Sequence, residues 1–121
     1  MHGPTFTGNP LAAAAANASL DLFESEPRMA QVAAMEQQLA TELAPLADLP
    51  AVSDVRVKGA MGAVELPHGR FKDWMRQRFV DQGVWIRPLG NIAYLTPPLL
   101  MTGDDLSRLT AALGRVVREA F

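Results

Sequence analysis

Met1-His2-Gly3-Pro4-Thr5-Phe6-Thr7-Gly8-Asn9-Pro10-Leu11 opens the chain. It reads as the floor of a binding site rather than the start of a domain. Asn9 has the side chain of a helix N-cap, and Pro10 suits the first helical position. The run Ala12 to Ala16 favours helix, so the spacing predicts a first helix from about Pro10 to Glu24. Backbone amides and a hydroxyl just before a helix N-terminus favour negative charge through the dipole and the free N–H groups. Thr5 could donate its hydroxyl to a phosphate oxygen, and Gly3 would let a ligand come close to the backbone. The same residues also make a rigid turn leading into a capped helix. So much binding-type sequence at a terminus predicts that the chain is the downstream part of a longer polypeptide.

Outward from this stretch the pattern alternates between helical and strand periods. Ser25-Glu26-Pro27 breaks the first helix. Met29, Val32, Met35, Leu39 and Leu43 then recur at helical spacing, with Gln37, Gln38 and Glu42 between them. Pro45 and Pro50 bracket the end of this helix. Val55 and Val57 alternate with Arg56 and Lys58, a strand signal; Lys58-Gly59 suits a tight turn, and Met61 to Leu66 reads as the returning strand. Phe71, Trp74, Met75, Phe79 and Val80 predict one apolar face of a third helix, which Gly83 stops. Two short strands are expected at Val84–Arg87 and Ile92–Leu95, joined by Pro88-Leu89-Gly90-Asn91. Thr102-x-x-Asp105 resembles a capping box with Asp in place of Glu. It opens a last helix through Leu106, Leu109, Leu113, Val116 and Val117. The order α-α-β-β-α-β-β-α predicts an α+β fold, with helices packed on a small, largely antiparallel sheet. The first helix stands apart, which predicts a turn and linker helix over residues 1–25 and a compact domain over 26–121.

Composition sets outer limits. The 121 residues suffice for one modest core, with 49 % apolar and 20 % charged residues. A net charge of −2 gives no electrostatic footprint for nucleic acid. With no cysteine, disulfides and cysteine metal sites are excluded. The longest apolar run, Leu11 to Ala16, is too short to span a bilayer. A soluble, cytoplasmic protein is the resulting expectation. The nine arginines far outnumber the two lysines, Lys58 and Lys72.

Few side chains outside the opening stretch carry chemistry. In Val84-Trp85-Ile86-Arg87, extended backbone puts Trp85 and Arg87 on one face and Val84 and Ile86 on the other. A guanidinium beside an aromatic is suited to hold a carboxylate bidentately; an edge-strand arginine paired with Asp or Glu is the structural alternative. His2 and His68 lack neighbours at ligand spacing, so no metal is expected. Asp104-Asp105 reads as negative charge at a helix N-terminus, and Trp74, Phe71 and Phe79 read as core.

Met1-His2-Gly3-Pro4-Thr5-Phe6, Gly8-Asn9-Pro10-Leu11-Ala12 and Ala14-Ala15-Ala16-Asn17-Ala18 resemble the C-terminal part of class III aminotransferases. The likeness is to the branch of biotin synthesis that makes 7,8-diaminopelargonic acid. The segment from Asp54 to Glu65, the run Gly83-Val84-Trp85-Ile86-Arg87-Pro88 and the stretch around Tyr94-Leu95-x-Pro97-Pro98 match the same branch. The resemblance implies the small C-terminal domain of a fold-type I pyridoxal 5'-phosphate enzyme that works as a homodimer. It further implies transfer of the amino group of S-adenosylmethionine to 8-amino-7-oxononanoate. Carried over residue by residue, Thr5 would bind the cofactor phosphate with Pro4 lining the same place. Gly3 would touch substrate through its backbone, and Arg87 would hold the carboxylate of the keto substrate.

The chain departs from this pattern at Ala13, where the family usually has cysteine, and at Thr7, where it often has methionine. On the resemblance, the Schiff-base lysine lies upstream of position 1. Lys58 sits in an expected β-turn and Lys72 near the start of a surface helix, neither of which desolvates an amine as imine chemistry requires. The chain alone is therefore expected not to turn over. A non-catalytic binding or self-assembly module, or another class III aminotransferase, would share most of these features; Pro4 and Arg87 favour the biotin branch.

Overall fold

The computed structural model describes residues 5–68 and 72–120, Lys72 without its side chain. The chain divides into two compact units, Met1–Gln31 and Val32–Phe121.

In the first unit, Thr7 and Gly8 both have positive φ, 47° and 70°. A left-handed conformation is costly for a β-branched residue such as Thr7. The turn closes with the Asn9 N–H donating to the Phe6 carbonyl at 2.8 Å. Asn9 then caps α1 (Pro10–Ser25), its side chain accepting from the Leu11 and Ala12 amides at 2.9 and 3.3 Å. None of the α1 residues is buried, and Leu11 and Leu20 are among the most exposed apolar side chains. Helix α2 (Arg28–Leu43) begins in this unit. Arg28 there bonds Glu26 at 2.9 Å and Gln31 at 2.9 Å.

The second unit holds the core. The elements that follow α2 are a 3₁₀ turn (Ala44–Leu46), β1 (Asp54–Lys58), β2 (Met61–Glu65), α3 (Lys72–Asp81), β3 (Ile92–Leu95) and α4 (Gly103–Glu119). The sheet is antiparallel in the order β1-β2-β3. Lys58 pairs with Met61, leaving Gly59-Ala60 as a two-residue turn whose first residue has φ 55°. Such type II′ geometry calls for glycine at that position. The register sets Val55, Val57, Gly62, Val64, Ala93 and Leu95 on one face. That face meets Leu39 and Leu43 of α2, Met75 and Phe79 of α3, and Leu106, Leu113, Val116 and Val117 of α4 in a single cluster. At Gly62 the approach is closest: a Cβ there would lie 2.7 Å from Leu43 Cδ1.

Helix α3 ends at Gly83, φ 74°, with the Val84 N–H donating to Phe79 O and the Gly83 N–H to Val80 O. This is the paired-bond glycine stop that the sequence suggests. Thr102 caps α4 as expected, accepting from the Asp105 amide at 3.2 Å and donating its hydroxyl to Asp105 at 2.8 Å.

Three expectations are corrected. Val84–Arg87 is not a strand; the only bridge in this region joins Leu89 and Ile92 across Gly90-Asn91. Pairing does not continue past Leu89: Pro88 brings no N–H, and residues 84–88 have no partner strand. Trp74 and Val80 are 38 % and 45 % exposed, so the buried stripe of α3 is Met75 and Phe79. At about 100° per residue, those two lie within about 40° of each other, while Trp74 and Val80 flank them by about 100° on either side. Met29 is 71 % exposed, and the buried face of α2 begins later, at Met35. Phe71 lies outside the described residues.

Between α2 and α4 lies a polar cluster that the sequence did not announce. Glu42 accepts hydrogen bonds from Ser107 Oγ at 2.6 Å, from Thr110 Oγ1 and from Gln38 Nε2 at 2.9 Å. Gln38 also reaches Ser107 and the Gly103 carbonyl. Burial opposes the charge on Glu42, but the Ser107, Thr110 and Gln38 bonds outweigh it and hold the carboxyl below its ordinary 4.5. A carboxylate with a lowered folded pKa contributes stability that is complete above the unfolded value and is lost as pH falls through the folded one. Thermal unfolding of the chain should therefore show a stability loss beginning below about pH 4.5 that Glu42→Gln reduces. An unchanged acid limb in Glu42→Gln would contradict this assignment.

Candidate functional site

The sequence singled out two places, and the structure puts them in different units: Thr5 in the first, Arg87 in the second. Gly3 and Pro4 lie outside the described residues.

Thr5 is exposed in the turn that precedes α1. Among the first-turn positions of α1, Pro10 has no N–H. Leu11 and Ala12 donate to the Asn9 side chain, and the Ala13 N–H donates to the Asn9 carbonyl at 3.0 Å. The free helix amides of the sequence reading are thus already used. An anion at this end of α1 would keep the favourable dipole, but it would take its hydrogen bonds from the Thr5 hydroxyl and the turn.

Arg87 lines an open depression of about 560 Å³ at the edge strand β3. The segment Gly83–Arg87 forms one side, Tyr94–Pro98 a second, and Met101 with Asp105, Arg108 and Leu109 of α4 a third. Extended backbone still alternates its side chains without a ladder: Ile86 is 4 % exposed, Trp85 is 78 % exposed and Arg87 is exposed beside it. The shared face of Trp85 and Arg87 is therefore as the sequence implies, although the strand is not. Pro88, itself buried, anchors the end of the segment.

The described arginines divide by partner. Arg56 binds Asp54 and Glu65 at 2.8 Å, which raises its pKa through the Glu65 and Asp54 bonds. Arg78 binds Glu119 at 2.7 Å and Asp81 at 3.1 Å, and its pKa is likewise raised, chiefly by Glu119. Arg108, on the depression, is loosely held by Asp105 at 3.3 Å. Arg76, Arg87, Arg115 and Arg118 pair with no carboxylate among the described residues, and of these four only Arg87 lines the depression. An exposed guanidinium with an aromatic neighbour and no internal partner is equipped to take a carboxylate from outside.

Sequence reasoning missed the α4 wall. From the sequence Asp105 reads as a capping-box and helix-start charge and Leu109 as an apolar helix position, and Arg108 carries no reading. Their spacing, i, i+3 and i+4, was the available signal that they share a face. Among the described residues no group of His, Cys, Asp or Glu is placed to hold a metal ion. No helix there is long and apolar enough to cross a membrane.

Residues 1–117 match the family model described as aminotransferase class-III. The adenosylmethionine-8-amino-7-oxononanoate aminotransferase of Corynebacterium glutamicum is 42 % identical over 118 residues, covering 98 % of this chain and 28 % of that protein. The enzyme of the same name from Methanocaldococcus jannaschii superimposes with a TM-score of 0.84 at 32 % identity, over 98 % of this chain and 30 % of that one. The omega transaminase of Pseudomonas jessenii, solved in complex with PMP, gives a TM-score of 0.86 at 27 % identity over 98 % of this chain and 28 % of that one. The chain thus spans under a third of the length of these relatives.

The cap is testable on its own. Asn9→Ala should destabilise α1 by about 1 kcal/mol. It should appear as roughly fivefold faster amide hydrogen exchange over Ala14 to Ala18, with the second unit unaffected.

Proposed function

Because this chain belongs to the class III aminotransferase family, we propose that it carries substrate- and phosphate-binding groups of an adenosylmethionine-8-amino-7-oxononanoate aminotransferase of biotin synthesis. The observation that carries the reading is Arg87. It lies on the depression, paired with no carboxylate among the described residues, beside the exposed indole of Trp85. An oxo acid with an aliphatic chain offers a carboxylate to the first and methylenes to the second.

In this reading Arg87 fixes the carboxylate of 8-amino-7-oxononanoate and so orients its oxo carbon. The amino group of S-adenosylmethionine replaces the oxo oxygen of that substrate, and the donor ends as the corresponding oxo acid, so the exchange needs no outside oxidant. Pyridoxal phosphate, when bound, supplies the electron sink for such an exchange. The residues present suit one end of that cofactor. The exposed Thr5 hydroxyl before α1 would bond a phosphate oxygen; the roles proposed for Pro4, lining the cofactor phosphate, and Gly3, touching substrate, rest on the sequence resemblance alone. They do not suit the reactive end: Lys58 is exposed at the β1–β2 turn, where nothing desolvates its amine. We therefore assign no covalent role to Lys58. Residues 1–25 act in this reading as active-site turn and interdomain linker helix, and 26–121 as the small domain. The whole enzyme would be a cytoplasmic homodimer in which this turn serves the neighbouring subunit's cofactor.

Two measurements test the reading. Arg87→Ala in the full-length enzyme should raise KM for the oxo acid by about 30- to 100-fold, with a much smaller change for S-adenosylmethionine. Equal losses for both substrates would remove the role given to Arg87. The chain by itself, treated with pyridoxal phosphate and borohydride and mapped by mass spectrometry, should show no stoichiometric adduct at Lys58 and no amino transfer. One dominant adduct there accompanied by turnover would overturn the separation of binding groups from catalyst.

A further inference from the structure

The α4 wall of the depression and the Glu42 cluster are two sides of the same helical turns. Asp105, Arg108 and Leu109 face the depression. Gly103, Ser107 and Thr110, between and beside them in sequence, face α2 and are tied there by Gln38 and Glu42. The spacing requires this division, because residues three and four apart share a face and their immediate neighbours do not. Helix α2 contributes nothing to the lining of the depression. Besides apolar packing at Leu106, its polar hold on the α4 N-terminal half is made by hydrogen bonds, three of which converge on one carboxylate. Both Glu42 oxygens are engaged, one by Ser107 and Gln38 and the other by Thr110. Thr110 is 5 % exposed. Thr110 Oγ1 and Gln38 Nε2 keep other partners in the Ser107 and Gly103 carbonyls, so what the Glu42 acceptor adds is the charge-assisted tie from α2 to Ser107 and Thr110 of α4.

We propose that Glu42 is a positioning residue for the anion-binding depression: through Ser107 and Thr110 it holds the α4 wall that lines the depression with Arg87. Glu42 itself touches no ligand. It sets where Arg108 and Leu109 stand relative to a carboxylate on Arg87. Any change that removes the acceptor or a donor weakens ligand binding on the opposite side of α4. The inference rests on the reading of Arg87 as a carboxylate anchor, and it names the residue that tunes that anchor from behind.

The test uses the isotopically labelled full chain and nonanoate, a nine-carbon carboxylate, followed by the amide shifts of Val84 to Arg87. Wild-type chain should bind saturably and Arg87→Ala should not. Glu42→Gln and Thr110→Val should each weaken nonanoate by about three- to tenfold. They should also displace the amide signals of Asp105, Arg108 and Leu109 while leaving those of β1 in place. Thr110→Ser, which keeps the donor, should restore wild-type affinity; a purely volumetric role for the side chain would not give that rescue. Unchanged affinity in Glu42→Gln and Thr110→Val, with native spectra elsewhere, overturns the coupling and leaves the Arg87 reading intact. Absence of any saturable shift in the wild-type chain overturns both. If Glu42→Gln does not fold, the comparison of Thr110→Val with Thr110→Ser decides the matter.

Discussion

The contact between the bare backbone of Gly62 and the side chains of Leu39 and Leu43 sets the geometry of the second unit. With no Cβ on β2 at this point, Leu43 comes to where a methyl group would stand, and α2 lies close against the centre of the sheet. Once Leu39 and Leu43 are committed to the sheet, the residues one step before each, Gln38 and Glu42, are turned about 100° away. That rotation aims them at α4. The apolar contact therefore fixes the direction of a polar one. The polar one fixes the first turns of α4, and those turns form a wall of the depression that holds Arg87.

What the sequence made legible was local chemistry. Asn9-Pro10, Gly83 and Thr102-x-x-Asp105 all mark helix ends where expected, because a cap is a matter of a few adjacent residues and their own backbone. The alternation of Trp85, Ile86 and Arg87 was equally legible, since it needs only extended backbone. Strand identity was not. A strand is a pairing, and Val84–Arg87 has no partner although its residue pattern is that of a strand. The Glu42 cluster was illegible for a related reason. It joins residues more than sixty positions apart, and nothing in Gln38-x-x-x-Glu42 or Ser107-x-x-Thr110 alone says that one will meet the other.

The candidate site shows the same division between inventory and placement. The sequence supplies a surplus of arginine and a scarcity of lysine. The structure sorts the arginines: Arg56, Arg78 and Arg108 are drawn to internal carboxylates, and of those without one among the described residues Arg87 is the one that lines the depression. It also revises the opening turn. The capping side chain of Asn9 makes α1 a good helix by using the amides that would otherwise have faced an anion. Helix stability and anion binding compete for the same donors, and at this position the helix has them. The Thr5 hydroxyl is therefore the more important group there.

Strand β3 reaches the sheet differently from its neighbours. The β1–β2 pair closes across Gly59-Ala60, whereas pairing β2 with β3 must first bring together the ends of residues 66–91, with α3 between them. Short closures form in microseconds and longer ones carry a larger entropic cost. The hairpin and the helix that covers it can therefore assemble before β3 arrives. The depression, built from β3, the segment before it and the start of α4, is completed last. A ligand bridging Arg87 and the α4 wall would thus tie together segments that local closure leaves apart, and occupancy would be felt as slower exchange on both sides of the depression at once.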